Sequence, residues 1–364
     1  MNTLGFSCYW SVKKERTWSG IPYSLSKELC KDYNIKNIEL NNFISFFGKL
    51  LIKIGIKNNI DMELISKVRK NQNKVLKSND LSENDIIVQF AEIFNSKNTY
   101  IYIDMCVDYI KSLYDSDKDL YNISGFQKYN IDYLTKRNEI QNYYLKNNAK
   151  GIFTMSNWLA KYIIDKNLAN PEKVYPVGGG INIDVSKLDT SKKTGNKLLF
   201  IGRDFTRKGG DLVISAFKLL INEHPNVELH LAGPKIDPVN EKIENYYFYG
   251  DIDYSKTTEL FNLCDVFVMP SYFEAYGLVF IEALTFGLPC IGRNCFEMPY
   301  IIENKKSGLL IENDDSIVLK NYMKELLFND SYKNYVNNNF NNYINNYTWK
   351  KVEKKINSVI NKDR

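Results

Sequence analysis

The feature that most constrains the fold is an alternation of short apolar runs with longer helical patterns, which occurs twice along the chain. Short, continuous apolar runs predict buried strands, and the helical patterns between them, such as 22–33, 43–56 and 156–166, predict crossovers between parallel strands. This alternation is typical of α/β proteins. The predicted strands are 4–10, 37–40, 85–90, 98–103 and 151–155 in the first half, and 197–202, 227–233, 265–270, 289–293 and 308–312 in the second.

A polar segment, KLDTSKKTGNK (187–197), separates the two series of strands and is the predicted linker. A length of 364 residues fits two domains, each with its own core. We therefore expect Rossmann-like domains at 1–186 and 187–345. The segment NYTWKKVEKKINSVI, from residue 346 onward, predicts a final helix anchored by Trp349.

Composition excludes several classes of protein. A formal charge of +5 is too small for a nucleic-acid-binding protein but fits an anionic ligand. The six cysteines are scattered and contain no C-x-x-C pair, so we expect reduced thiols and no metal site. There is no basic N-terminal region with an apolar core, and no run of about 18 apolar residues. We expect a cytoplasmic protein without membrane spans.

The stretch PSYFEAYGLVFIEALTFGLP (270–289) carries two carboxylates, Glu274 and Glu282. On one continuous helix they would lie about 12 Å apart along the axis, too far to share one bond as a hydrolase pair does. If the helix begins near Gly277, Glu274 lies in the preceding loop and both acids flank a helix N-terminus, which attracts anions. This suits a ligand with hydroxyls at both ends and phosphate between them. The alternatives are a solvated loop acid at Glu274 and a dipole-stabilised helix acid at Glu282.

The stretch FIGRDFTRKGGDLVISAF (200–217) runs from a strand through a basic loop into an amphipathic helix. Arg203, Arg207 and Lys208 at this strand end could hold a diphosphate, or could form a basic surface turn. Arg207 could equally be a solvated neighbour, so the prediction rests on Arg203 and Lys208. The stretch matches neither a G-x-G-x-x-G fingerprint nor a Walker A loop, which disfavours dinucleotide and ATP sites.

The second half as a whole resembles a known family. The order G-R…R-K-G, A-G-P (232–234), D-V-F-V-M-P-S, E-x7-E and A-L-x-x-G-L-P closely resembles the nucleotide-sugar half of the family 4 retaining glycosyltransferases. The resemblance covers most of 197–315 and extends more loosely to 17–29, 154–163 and 174–182. It implies an α/β GT-B fold, with two Rossmann-like domains facing a cleft and a C-terminal helix (346–364) returning to the N-terminal, acceptor-binding domain.

The resemblance also implies roles for individual residues. Glu274 would bind hydroxyls of the donor sugar as a catalytic residue, and Glu282 would bind the ribose. The diphosphate would be bound by Arg203, Lys208 and Gly20. The donor sugar would also be bound by Ala275, Tyr276, Gly277 and Leu278. The base would be bound by Gly233, Pro234 and Ile252. Arg203 and Lys208 would neutralise the leaving group in place of a metal ion.

The sequence departs from the family at one catalytic position. Many relatives place a histidine in the N-terminal domain near the donor sugar, but the histidines here, His224 and His230, lie in the second half. Asp104 in YIYIDMCVD, at the end of an apolar strand, is the best substitute, and Asp108 is a weaker one. The alternative for both is capping of the following helix.

The function that follows from the resemblance is metal-independent, retaining transfer of a sugar from a UDP- or GDP-sugar to a glycan or lipid-linked glycan, in bacterial surface polysaccharide synthesis. No cofactor or nucleic-acid partner is expected. The segment 43–59, apolar with lysines spaced four apart, could lie at the inner face of a membrane or pack as a core helix with one wet edge. Two alternatives are a non-catalytic nucleotide-sugar-binding subunit of a transferase complex and a two-carboxylate glycoside hydrolase.

Overall fold

The computed structural model describes residues 2–11, 13–40, 60–189 and 193–362. The chain divides into two compact units. Unit 1 comprises Met1–Asn122, Phe126–Gly180 and Trp349–Arg364, and unit 2 comprises Ile123–Gly125 and Ile181–Thr348. The predicted helix 43–56 and the candidate membrane segment 43–59 lie outside the described residues, so both stay predictions.

Unit 1 is built on a parallel sheet whose described strands lie in the order β2-β1-β3-β4-β5-β6. The strands are β1 (Asn2–Cys8), β2 (Tyr33–Glu39), β3 (Ile86–Gln89), β4 (Thr99–Ile103), β5 (Gly151–Thr154) and β6 (Val174–Pro176). The helices are α1 (Ile21–Leu29), α2 (Ile60–Lys70), α3 (Gln72–Lys77), α4 (Val107–Ser116), α5 (Lys118–Ile123), α6 (Ile131–Asn147) and α7 (Asn157–Asp165). Short 3₁₀ turns occupy Lys14–Gly20 and Pro171–Lys173.

Unit 2 repeats this plan with a second parallel sheet, whose described strands lie in the order β12-β11-β10-β7-β8-β9. The strands are β7 (Lys197–Ile201), β8 (Glu228–Ala232), β9 (Tyr246–Phe248), β10 (Val266–Val268), β11 (Cys290–Arg293) and β12 (Gly308–Ile311). The helices are α8 (Gly210–Glu223), α9 (Tyr254–Leu263), α10 (Leu278–Thr285), α11 (Met298–Ile301), α12 (Ser316–Phe328), α13 (Asp330–Asn338) and α14 (Phe340–Asn346), and a 3₁₀ turn spans Val185–Lys187.

The α/β fold class is confirmed, and each predicted strand is found. The central strands β3, β4 and β5 are buried along their whole length, which is why their sequences are continuous apolar runs. The sequence missed β6 and β9, which lie at the edges of their sheets. Both have only three residues and partly exposed side chains, so neither carries a recognisable apolar run.

The chain passes between the units before the predicted linker. The predicted boundary follows residue 186, whereas the structural division follows Gly180. Hydrogen bonds explain the difference: the Ile181 N–H donates to the Tyr347 carbonyl (2.9 Å), which fixes this segment to unit 2. Polar composition therefore marks a loop here, but not the point at which the chain changes units.

The final described helix, α15 (Trp349–Lys362), is part of unit 1 although it follows unit 2 in sequence. It packs against α1, and the Asn357 side-chain amide donates to Asp32 at 2.9 Å. Trp349, as predicted, is buried at the start of this helix.

Candidate functional site

The order of the strands in the sheet of unit 2 reverses at β7. The chain runs outward from β7 through β8 and β9, and then returns to place β10 on the other side of β7. The loops that follow β7 and β10 therefore diverge from one edge of the sheet. In open α/β sheets, ligands bind in the crevice at such a switch point.

Glycines allow the loops at this switch point to approach closely. A Cβ atom on Gly209, whose φ is +77°, would lie 2.5 Å from the carbonyl oxygen of Pro270 after β10. A Cβ atom on Gly233, whose φ is +118°, would lie 2.5 Å from the carbonyl carbon of Gly202. Glycine alone fits such contacts and such φ values without strain. The loop after β7 is thereby packed directly onto the residues that follow β8 and β10.

Lys208 and Glu274 form an ion pair across the switch point. Lys208 lies in the loop after β7, and Glu274 lies in the loop after β10, as predicted from the sequence. Their side chains are only 13% and 11% exposed. Burial lowers the pKa of the Lys208 ammonium, and the Glu274 carboxylate opposes this shift. The pair places opposite charges beside each other where a ligand would enter.

The two arginines of this loop have different environments. Arg203 is 79% exposed, and its Nε donates to Asp251 at 3.1 Å. An ion pair this exposed contributes little to stability, so the guanidinium can reorient toward an anion. Arg207 donates to the carbonyl of Phe273 at 2.9 Å and to Asp204 at 3.0 Å, so it shapes the loop that carries Glu274.

The helix α10 begins directly after Gly277, where the sequence predicts its start. Gly277 has φ of +94°, and a Cβ atom there would lie 2.9 Å from the Phe280 ring. Tyr276 is buried, while Ala275 and Leu278 are partly exposed. The predicted donor-sugar residues thus form one tight turn leading into the N-terminus of α10, where backbone N–H groups attract anions.

Glu282 lies inside α10 and is buried, with 7% exposure. Burial raises its pKa to about 7, although the Asn182 N–H donates to its Oε1 at 3.4 Å and opposes the shift. Within the described part of the chain, this long hydrogen bond is the one seen at the buried Glu282 carboxyl, which is therefore poorly satisfied by its surroundings. Hydroxyl donors from a ligand could supply the missing hydrogen bonds.

The residues predicted to hold the base follow β8 and β9. Gly233 and Pro234 are buried directly after β8, and Ile252 is partly exposed after β9. The Gly233 N–H donates to the Gly250 carbonyl at 2.8 Å, which joins the two segments. The structure therefore brings these residues into one region beside the loop that carries Arg203.

The predicted residues of unit 1 lie on a different sheet. Gly20 has φ of +85° and precedes α1, whose second residue is Pro22, as predicted. Asp104 directly follows β4 and is partly exposed. The N-cap residue of α4 is Cys106, two residues after Asp104.

Asp108 is held by structural contacts. Its carboxylate accepts hydrogen bonds from the Tyr162 hydroxyl at 2.8 Å and from the side-chain amides of Asn142 and Asn138 at 3.2 and 3.3 Å. These contacts join α4 to α6 and α7. Asp108 therefore stays the weaker candidate, and Asp104 stays the predicted catalytic residue of unit 1.

Sequence reasoning missed two residues that shape the site of unit 2. The backbone N–H of Asn182 donates to Glu282, and a backbone contact of this kind cannot be predicted from the identity of the side chain. Arg293, at the end of β11, stacks on Tyr272 at 4.3 Å and donates to Asp314 at 2.6 Å. A basic residue at the end of a predicted strand was a usable signal for Arg293.

In the described part of the chain, no cluster of three or more His, Cys, Asp or Glu side chains could hold a metal ion. Nor is any helix in that part both long and apolar enough to span a bilayer. Metal independence stays a prediction.

The fold is shared with solved glycosyltransferases. Two units, each with a parallel six-stranded sheet in the described residues, form the GT-B fold of glycosyltransferases, as in WaaG, a glycosyltransferase involved in lipopolysaccharide biosynthesis (TM-score 0.68, 16% identity, 98% of this chain and 99% of that one). HepE from Anabaena, solved with UDP and glucose, gives a TM-score of 0.66 at 13% identity, over 99% of this chain and 100% of that one.

Residues 185–345 match the family model described as glycosyl transferases group 1. The capsular polysaccharide biosynthesis glycosyltransferase CapM of Staphylococcus aureus is 26% identical over 58% of this chain and 59% of its own length. The chain spans about half the length of the curated relatives it matches.

Proposed function

We propose that this protein is a retaining glycosyltransferase of family 4, which moves a sugar from a nucleoside-diphosphate sugar to a hydroxyl of a glycan or lipid-linked glycan. The observation that carries the proposal is the buried Lys208–Glu274 pair across the switch point of unit 2. It lies beside the N-terminus of α10, in the segment that matches the group 1 model. A cation, a carboxylate and a helix N-terminus suit a diphosphate that is joined to a sugar.

Each part of the donor has a candidate partner in unit 2. Lys208 and Arg203 would neutralise the diphosphate, and Glu274 would accept hydrogen bonds from the sugar hydroxyls. Glu282 would accept hydrogen bonds from the ribose hydroxyls, which would compensate its buried charge. The base would lie against the region of Gly233, Pro234 and Ile252. UDP is the favoured nucleotide, since the structural neighbour HepE was solved with it.

The proposed reaction exchanges one bond at the anomeric carbon. The bond between the anomeric carbon and the leaving phosphate oxygen breaks, and a bond between this carbon and the acceptor oxygen forms on the same face of the sugar. The proton of the acceptor hydroxyl passes to the departing phosphate. Lys208 and Arg203 stabilise the negative charge that develops on the diphosphate, without the metal ion used by other transferases. Asp104 and the backbone at Gly20 are the proposed contributions of unit 1, to the hydroxyls and to the phosphates respectively.

The names of two similar proteins support the proposed biological setting. CapM is named for capsular polysaccharide biosynthesis, and WaaG is described as involved in lipopolysaccharide biosynthesis. We infer an acceptor among bacterial surface glycans. The proposal also includes a cytoplasmic location and contact of 43–59 with the inner face of the membrane.

The first test is a calorimetric screen of UDP, GDP, ADP and dTDP in the presence of EDTA. We expect one diphosphate to bind the wild type, and Lys208→Ala to weaken it by roughly 10- to 100-fold. Lys218→Ala is the matched control, because Lys218 lies on α8, is 40% exposed and pairs with Glu241. Failure of every diphosphate to bind would overturn the proposal.

Two alternatives differ from the transferase in their expected results. A nucleotide-sugar-binding subunit would bind the diphosphate but show no transfer, and Asp104→Ala would change nothing. A glycoside hydrolase would release sugar from a glycoside and would have no need of Lys208 or Arg203. An Asp104→Ala variant that binds the diphosphate normally and loses transfer would support the transferase.

A further inference from the structure

The loop after β1 holds an exposed tryptophan in a strained backbone conformation. Trp18, Ser19 and Gly20 have φ of +44°, +56° and +85°, all in the left-handed region. This region is unfavourable for a bulky residue. Trp18 is also 42% exposed, so burial recovers only part of the cost. Strain of this kind persists when the surrounding structure imposes it, and it is concentrated at functional sites.

The surrounding loop is firmly anchored. The Ser11 N–H donates to the buried Thr17 hydroxyl at 2.9 Å. Lys14 pairs with Glu39 at 2.5 Å, and its ammonium lies 5.4 Å from the centre of the Trp10 ring. The segment before Trp18 is thus tied to β2 and to the residues after β1. These contacts hold the backbone segment that precedes Trp18 in place.

Trp18 also lies at the switch point of its own sheet. In unit 1, β1 lies between β2 and β3, so the loops after β1 and β3 diverge from one edge, where ligands of α/β sheets bind. Trp18, from the first loop, packs edge-on against Phe90, which directly follows β3 (5.6 Å between ring centres, 82° between planes). This contact spans the switch point of unit 1.

The Phe90 ring, on which Trp18 packs, is itself held by buried aromatic side chains. Phe90 is buried and packs against Phe6 and Tyr102, each at 5.3 Å between ring centres. The Tyr102 hydroxyl donates to the Gly178 carbonyl at 2.7 Å. An indole on a packed aromatic base loses little conformational entropy when a ligand stacks on it.

Polar residues lie near Trp18 in the sequence and at the same edge of the sheet. Ser19 and Arg16 are exposed in the same loop. On the same edge of the sheet, Asp104 follows β4, the strand that pairs with β3. A single exposed indole beside polar residues differs from a protein interface, which needs a larger continuous apolar surface at its centre. It fits a sugar ring, which presents C–H groups on its face and hydroxyls around its edge.

We propose that Trp18 is a stacking platform for a sugar ring of the acceptor, with Asp104 on the same sheet edge to bind a hydroxyl of that sugar. The C–H face of the ring would rest on the electron-rich face of the indole. This inference rests on the proposed function, because it assigns a binding residue to the glycan acceptor of that reaction. It makes Trp18 a specificity-determining residue: sugars with an uninterrupted C–H face are preferred over those with an axial hydroxyl on that face.

The test uses saturation-transfer NMR on the full-length protein with UDP present. The probes are the methyl glycosides of glucose, galactose, mannose and N-acetylglucosamine. Trp18→Ala removes the platform, Trp18→Phe keeps a smaller one, and Trp18→Gly suits the left-handed backbone and so preserves the loop. Tyr143→Ala is the matched control, since Tyr143 is 63% exposed on α6. UDP affinity is measured in parallel for every variant.

We expect at least one glycoside to bind the wild type and Tyr143→Ala. Its affinity should fall by about 10-fold or more in Trp18→Ala and in Trp18→Gly, with partial recovery in Trp18→Phe. UDP affinity should be the same in all of them. Unchanged glycoside binding in Trp18→Ala would overturn the inference, as would failure of every glycoside to bind a protein that binds UDP. Failure of the wild type to bind any of UDP, GDP, ADP and dTDP would instead contradict the proposed function.

Discussion

Lys208 and Glu274 are 66 residues apart in sequence, yet their side chains form a buried ion pair between the loops that follow two adjacent strands, β7 and β10. Removing both charges from water is costly, and a buried ion pair is weak evidence for stability. Its position at the switch point supports the proposed role of both charges in binding a ligand. A diphosphate would compete with Glu274 for the Lys208 ammonium.

This competition predicts that Glu274→Gln and Lys208→Met differ in their effects on the affinity for UDP. Glu274→Gln frees Lys208 from its partner, so UDP should bind as tightly as in the wild type or more tightly. Transfer from the nucleotide sugar should still fall by roughly one to two orders of magnitude, because a contact to the sugar is lost. Lys208→Met should weaken UDP binding. Calorimetry measures the affinity for UDP, and a transfer assay measures the rate of sugar transfer. Equal weakening of UDP binding by both variants would contradict competition between Glu274 and the diphosphate for Lys208.

Proton release is expected when UDP binds. The pKa of Glu282 is raised to about 7 by burial, so near pH 7 the carboxyl is partly protonated. Hydrogen bonds from ribose hydroxyls favour the carboxylate and would lower this pKa, releasing up to roughly half a proton per site. Calorimetry in buffers with different ionisation enthalpies measures the release. Glu282→Gln should release fewer protons than the wild type on binding UDP, and protons released by the phosphate itself should be the same in both. Identical proton release by the wild type and Glu282→Gln would exclude Glu282 as the source.

The same group predicts how stability changes with pH. Because the folded pKa of Glu282 is raised from 4.5 to about 7, its contribution to stability is complete below about pH 4.5 and is lost as pH rises through 7. Glu282→Gln should therefore gain roughly 1–3 kcal/mol relative to wild type between pH 5 and pH 8. Thermal unfolding at the two pH values tests this, with the exposed Glu244→Gln as control. A difference from wild type that is independent of pH would contradict the assignment.

Gly209→Ala should damage the site more than Gly250→Ala. Both glycines have positive φ, +77° and +69°, so both substitutions carry the same kind of backbone strain. A Cβ on Gly209 would meet the Pro270 carbonyl at 2.5 Å, whereas no described atom lies within 4 Å of one on Gly250. We expect about 1 kcal/mol of lost stability for Gly250→Ala and several for Gly209→Ala, with UDP binding lost only in the latter. Similar melting temperatures for the two variants would show that the loops can separate without cost.

The sequence predicted the local backbone structure around the candidate site residues. Gly277 marks the start of α10, because a helix often begins after a residue with special backbone freedom, and Asp104 follows a strand whose apolar run is unmistakable. The Lys208–Glu274 contact depends instead on β7 and β10 being neighbours, which their separation in sequence does not show. The conformation of Trp18 could not be predicted, because a positive φ outside glycine is imposed by tertiary contacts.

The position of α15 has a consequence for the order in which the protein folds. Unit 2 is formed almost entirely by consecutive residues, whereas unit 1 needs α15, whose Trp349, Val352 and Ile356 are buried. On the ribosome, α15 is made after all of unit 2, so unit 2 can finish folding while the first-made strands still await a helix. A chain cut short before Trp349 would contain a complete unit 2 beside a unit 1 with exposed apolar surface, a state that invites aggregation or proteolysis.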